Sequence, residues 1–128
     1  MWCLVMWLAA VSYADDIEGR YWNPDHTRQV EVKLNEGLLT GTIVWVRTPE
    51  QHDQLGQTIL RDFQRAGDRW MGGTVVSPVN GRVYSGTVWL EAGDLMMRGY
   101  VGLPVFGRTA RLERVECLPT SKDSHCKL

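Results

Sequence analysis

The chain carries almost no excess of charge of either sign. Fourteen Lys and Arg stand against fifteen Asp and Glu, a net charge of −1 over 128 residues. A basic nucleic-acid surface or an acidic disordered tail needs a marked imbalance, so no nucleic acid is expected as a partner. Long apolar runs are missing as well. The uncharged stretch Met1–Ala14 falls well short of the ~20 residues that cross a bilayer, and no transmembrane segment is expected in the mature chain. There is no long helical period, no repeat unit and no low-complexity segment. Also absent are a nucleophile elbow, a metalloprotease helix, a phosphate-binding loop and a paired catalytic carboxylate motif. No catalytic residue can be named, and no cofactor is expected.

What is present suits one small domain. A hydrophobic share of 44% is enough for a core, and 13 glycines with six tryptophans indicate tight turns around aromatic packing. Met1–Ala14 ends in Ser12-Tyr13-Ala14, with small residues at the −3 and −1 positions of a signal-peptidase site, and Asp15-Asp16 opens a polar chain. This reads as a signal peptide over 1–14 and a periplasmic or secreted protein, although no basic residue precedes the apolar run. The alternative is a buried N-terminal strand or helix. A single domain is expected over 15–116 and a tail over 117–128. Cleavage removes Cys3 and leaves Cys117 and Cys126, an even pair that reads as a disulfide in an oxidising compartment. Two free thiols in a frayed tail are the alternative.

Strand and turn signals fill the mature chain. Arg28–Glu36 alternates Val30, Val32 and Leu34 with polar residues, the period of a half-buried strand. Asn35-Glu36-Gly37 supplies a turn, and Leu38–Arg47 returns as a second strand. Thr48–Gly56 is a polar loop. Gln57–Arg65 fits either a short helix or a strand, because Ile59, Leu60 and Phe63 satisfy both spacings. Trp70–Ser77, Arg82–Glu91, Leu95–Gly102 and Arg108–Val115 read as further strands, with turns at Asn80-Gly81 and Ala92-Gly93-Asp94. About seven or eight short strands at this spacing predict an all-β fold, an antiparallel barrel or sandwich.

Several runs are specific beyond composition: Leu55-Gly56 with Ile59-Leu60 and Phe63; Trp70 with Gly72-Gly73; Pro78, Asn80-Gly81 and Tyr84; and Arg98-Gly99-Tyr100-Val101-Gly102 with Phe106-Gly107-Arg108-Thr109. They resemble a small exported bacterial family catalogued as domain of unknown function 2147. The resemblance spans about Gly19 to Val115. It implies one lipocalin-like β-barrel behind a leader and no assigned activity. The chain departs from the family pattern in four places. Tyr21 stands where a tryptophan is usual, Ser77-Pro78 replaces Asp-Pro, Leu112-Glu113-Arg114 replaces Trp-x-Arg, and the loop around His52–Gly56 is shortened.

Three groups of side chains are candidates for special roles. Tyr21 or Trp22 with Arg114 suits a structural plug, a first-strand aromatic stacked under a last-strand guanidinium at one barrel end. Arg98, Tyr100, Phe106, Arg108 and Thr109 could hold an anionic ligand group; alternatively their glycine neighbours only let strands bend at a corner. Asp25-His26 and His52-Asp53 have metal-ligating chemistry but no spacing that brings them together, so no metal is expected. Trp45, Trp70, Tyr84, Trp89, Met96 and Met97 are bulky enough to fill a small barrel. Trp70 and Tyr84 are expected in the core. The favoured function is binding of a small apolar or amphipathic ligand in the periplasm. The rival is an envelope-associated interaction or stress accessory domain that takes no ligand.

Overall fold

The computed structural model describes residues 17–102 and 107–115. Residues 1–14, where a leader is expected, and Phe106, Cys117 and Cys126 lie outside the described residues. Eight antiparallel strands follow one another around a nearly closed barrel: β1 (Gly19–Trp22), β2 (Arg28–Asn35), β3 (Leu38–Val46), β4 (Thr58–Ala66), β5 (Arg69–Val76), β6 (Val83–Glu91), β7 (Asp94–Tyr100) and β8 (Arg108–Leu112). Each strand pairs with its sequence neighbours. The segment after β8 returns to β1: the Trp22 N–H donates to the Glu113 carbonyl at 2.7 Å and the Val115 N–H to the Arg20 carbonyl at 2.9 Å. Tyr21 and Arg114 face each other across this seam.

The ambiguity over 57–65 resolves as a strand. Its apolar residues looked helical because β4 is bulged. Asp62 takes a left-handed φ of 60°, which adds one residue, so that Leu60 and Phe63 both become fully buried although three positions apart. Phe63 packs against the sheet where β5 and β6 carry glycine. A Cβ at Gly73 would come within 2.5 Å of both the Arg61 carbonyl oxygen and the Phe63 ring. Gly73 therefore makes room for an aromatic core residue from the adjacent strand, while Gly72 takes a left-handed φ of 80°.

The connections differ by barrel end. One end has two-residue turns between β2 and β3, β4 and β5, and β6 and β7. At the Ala92-Gly93 turn both residues have positive φ, 55° and 87°, which matches the right-handed twist of the flanking strands. The other end carries the longer connections. Among them are the β3–β4 segment with a short 3-10 helix at Pro49–Gln54, the Ser77–Arg82 turn and the β7–β8 loop. Tyr21, Phe63, Leu39, Ile43, Leu60, Leu95 and Leu112 are fully buried, with Trp70 at the edge of the same core. The barrel interior is thus filled by its own side chains over much of its length.

Candidate functional site

The core does not extend to the long-loop end between β6, β7 and β8. Register explains why. Leu95 faces Leu112 across β7 and β8, and Met97 faces Ala110, so this face begins as core. The next pair on the same face is Gly99 with Arg108. Glycine adds no side chain, and the arginine is exposed. On β6 the residue opposite Gly99 is Gly86, and Phe63 and Val75 fill the space beside it. Past Gly99 and Arg108 the core packing stops, and a cleft of about 750 Å³ opens.

Tyr84, Met97 and Ala110 give the cleft an apolar and aromatic wall, and Arg82, Arg108 and Tyr100 bring polar groups to it. Among the described residues, no Asp or Glu lines it. Among the described residues, no hydrogen bond or ion pair engages the guanidinium of Arg82 or Arg108. A volume of this size falls in the range of small-molecule sites, which are mostly apolar with a few polar groups that orient the ligand.

The opposite end is chemically different. Arg114 lies over the Tyr21 ring at 4.9 Å and donates to its hydroxyl at 2.7 Å. That hydroxyl donates in turn to the Ile17 carbonyl at 2.7 Å. Arg114 also donates to the Gly93 carbonyl at 2.9 Å. Asp94 accepts from the Arg114 backbone N–H at 3.0 Å and from Arg111 at 3.0 Å. The Arg114 backbone N–H, and then Arg111, hold the Asp94 carboxyl below its usual range against an opposing effect of partial desolvation.

The remaining sequence candidates are dispersed. Trp22 stacks on His26 with ring centroids 4.7 Å apart and meets Trp45 edge-on at 5.4 Å. Tyr21 is thus the aromatic beneath Arg114. Arg98 and Arg108 are separated by register: Arg98 pairs with Thr109 and Arg108 with Gly99, so their side chains leave opposite faces of the sheet. Arg98 donates to the Thr109 hydroxyl at 2.8 Å. Thr109, like Tyr100, borders the cleft. Asp25 accepts hydrogen bonds from Asn23 and Thr27, and His26 pairs with Glu113 at 2.8 Å. His52 and Asp53 lie in the short 3-10 helix.

Two expectations about packing are corrected. Tyr84 is half-buried because it borders the cleft. Trp89 and Met96 pair with each other in register beside the inward Val88–Met97 pair, so they occupy the outer face. Trp89 lies 4.2 Å under the guanidinium of Arg69 there. The sequence reading passed over Arg82 as a candidate, and it treated Tyr84 and Met97 as core. The signal lay in register: Tyr84, Gly86, Gly99, Met97 and Arg108 share one face once β6 to β8 are aligned.

Comparison with known proteins agrees with this architecture. Residues 19–114 match the family described as uncharacterized protein conserved in bacteria, DUF2147. No curated protein matches the chain significantly. Among solved structures, the fold resembles that of protein HP1028 from the human pathogen Helicobacter pylori, described as belonging to the lipocalin family. The TM-score is 0.63 at 16% identity, over 78% of this chain and 83% of that one. At that identity the likeness is one of fold.

Proposed function

The chain belongs to the DUF2147 family of bacterial proteins and has a lipocalin-like barrel, and from that premise we propose that it is an exported binding protein for a small amphipathic molecule. The observation that carries this reading is the cleft at the long-loop end, with an apolar wall of Tyr84, Met97 and Ala110 and, beside it, two guanidinium groups that hold no bond among the described residues. The apolar portion of the ligand packs on that wall. Its polar or anionic portion meets Arg82 and Arg108, whose planar donor forks suit carboxylate or phosphate oxygens. The apolar leader ending at Ala14 supports action in the periplasm or outside the cell. The lipocalin-like neighbour supports the same reading at the level of fold, since small closed barrels have room for one such ligand.

Native mass spectrometry of protein recovered from the periplasm tests this proposal. A bound small molecule is expected at one per chain, lost when Ala110→Trp fills the cleft. Protein that carries no bound molecule and takes up none from a panel of fatty acids and lysophospholipids would overturn it.

A further inference from the structure

The rim of the cleft has its own composition, distinct from that of its wall. Val79, Val101 and Val83 are 75%, 69% and 60% exposed, the three most exposed large apolar residues described. Val79 is in the Ser77–Arg82 turn, Val83 begins β6, and Val101 follows β7 and borders the cleft together with Arg82. Two connections and the start of β6 therefore hold three exposed valines beside the guanidinium groups of Arg82 and Arg108.

Charge is sorted along these strands in the same sense. Between Asp68 and Glu91, and again between Asp94 and Glu113, the chain contains no acidic residue, while arginines occur in both intervals. Asp68 lies in the β4–β5 turn, and Glu91 and Asp94 flank the β6–β7 turn, all at the short-turn end. Among the described residues, the lip between β5–β6 and β7–β8 is thus apolar and cationic, and no carboxylate lines the cleft beside it. Glu50 and Asp53, on the β3–β4 connection, do not border the cleft.

We propose that this lip docks the protein onto an anionic lipid bilayer. The valines enter the headgroup region, and Arg82 and Arg108 meet lipid phosphates. Exposed apolar side chains in water carry a hydration cost that the interface relieves, and basic residues beside them are attracted by the negative surface potential. The orientation directs the cleft mouth toward the membrane. Docking rests on the lip alone and holds whether or not the cleft takes a ligand.

Vesicle flotation tests it, with purified protein and either phosphatidylcholine alone or phosphatidylcholine mixed with phosphatidylglycerol. Binding to the mixed vesicles is expected to exceed binding to neutral ones and to weaken as salt is added. Arg82→Glu should lower it by at least about fivefold, and Val79→Asp should lower it comparably. Lys33→Glu, the same change of charge on β2 at 67% side-chain exposure, should bind like the wild type. Circular dichroism establishes that each variant is folded. Absence of flotation, equal flotation with neutral vesicles, or folded lip variants that float like the wild type would overturn the proposal. If flotation fails while sedimentation shows a dimer that Val79→Asp dissociates, the lip takes a second copy of the chain instead.

Discussion

Arg114 and Tyr21 join the two ends of the barrel strand order: the guanidinium covers the ring at 4.9 Å and donates to the hydroxyl at 2.7 Å. The tyrosine hydroxyl is both acceptor and donor, since it passes a hydrogen bond to the Ile17 carbonyl. A tryptophan at this position would present a ring N–H but no hydroxyl, so the tyrosine and the arginine act as a matched pair in this chain. Tyr21→Phe keeps the ring and leaves the Ile17 carbonyl and the guanidinium without their shared partner. It should cost about 1–3 kcal/mol in urea unfolding. Arg114→Lys should not preserve the contact, because an ammonium cannot cover the ring and also reach the Tyr21 hydroxyl and the Gly93 carbonyl as the guanidinium does. Wild-type stability of Tyr21→Phe would show that the seam is held by the strands alone.

Asp94, at the same end of the barrel, makes an acid-sensitive contribution to stability. Asp94 has its pKa lowered in the folded state, first by the Arg114 backbone N–H and then by Arg111. A lowered folded-state pKa contributes stability above the ordinary carboxylate value, and that contribution is lost as pH falls through the folded value. Asp94→Asn should therefore be less stable than the wild type at neutral pH, with the difference shrinking under acid. Parallel stability–pH curves for the two proteins would contradict this assignment.

Gly73 tests the packing of Phe63. An added methyl would meet the Arg61 carbonyl oxygen and the Phe63 ring at 2.5 Å, and the carbonyl belongs to the backbone of a paired strand. Gly73→Ala should destabilise by about 1–3 kcal/mol, the usual range for overpacking. Trp70→Ala, which removes a core aromatic 6% exposed, should cost about 3–5 kcal/mol. Arg82→Ala and Arg108→Ala should stay within about 0.5 kcal/mol, since both are exposed and their side chains hold no bonds among the described residues. Thermal and urea melts of the four variants separate core from cleft.

Much of this was legible from local pattern. The alternation in 28–36 and the Asn80-Gly81 and Ala92-Gly93 signals place strands and hairpins because they depend on neighbouring residues alone. Features set by pairing were less accessible. The bulge at Asp62 gave β4 a helix-like spacing, and no local signal marks a left-handed aspartate. Arg98 and Arg108 share a glycine-rich context, yet only the β7–β8 register shows that they leave opposite faces. Tyr84 resembled a core residue because its neighbour at the cleft, Gly99, is brought beside it only by the alignment of β6 with β7. A one-residue change in that register would have exchanged cleft and surface.

Export yields a separate expected outcome. N-terminal sequencing of protein from the periplasmic fraction should begin at Asp15, and thiol titration of the unfolded, unreduced chain should find Cys117 and Cys126 bridged. A cytosolic protein that retains Met1, with free thiols, would contradict both.

Binding at the cleft is tested most directly by titrating the purified protein with a fluorescent long-chain fatty acid. Saturable binding at one site per chain is predicted. Ala110→Trp should weaken it at least tenfold by filling the apolar wall, and Arg82→Ala with Arg108→Ala should weaken it while leaving the melt unchanged. Binding that is absent, or that persists undiminished in folded Ala110→Trp protein, would show that this cleft is not the ligand site.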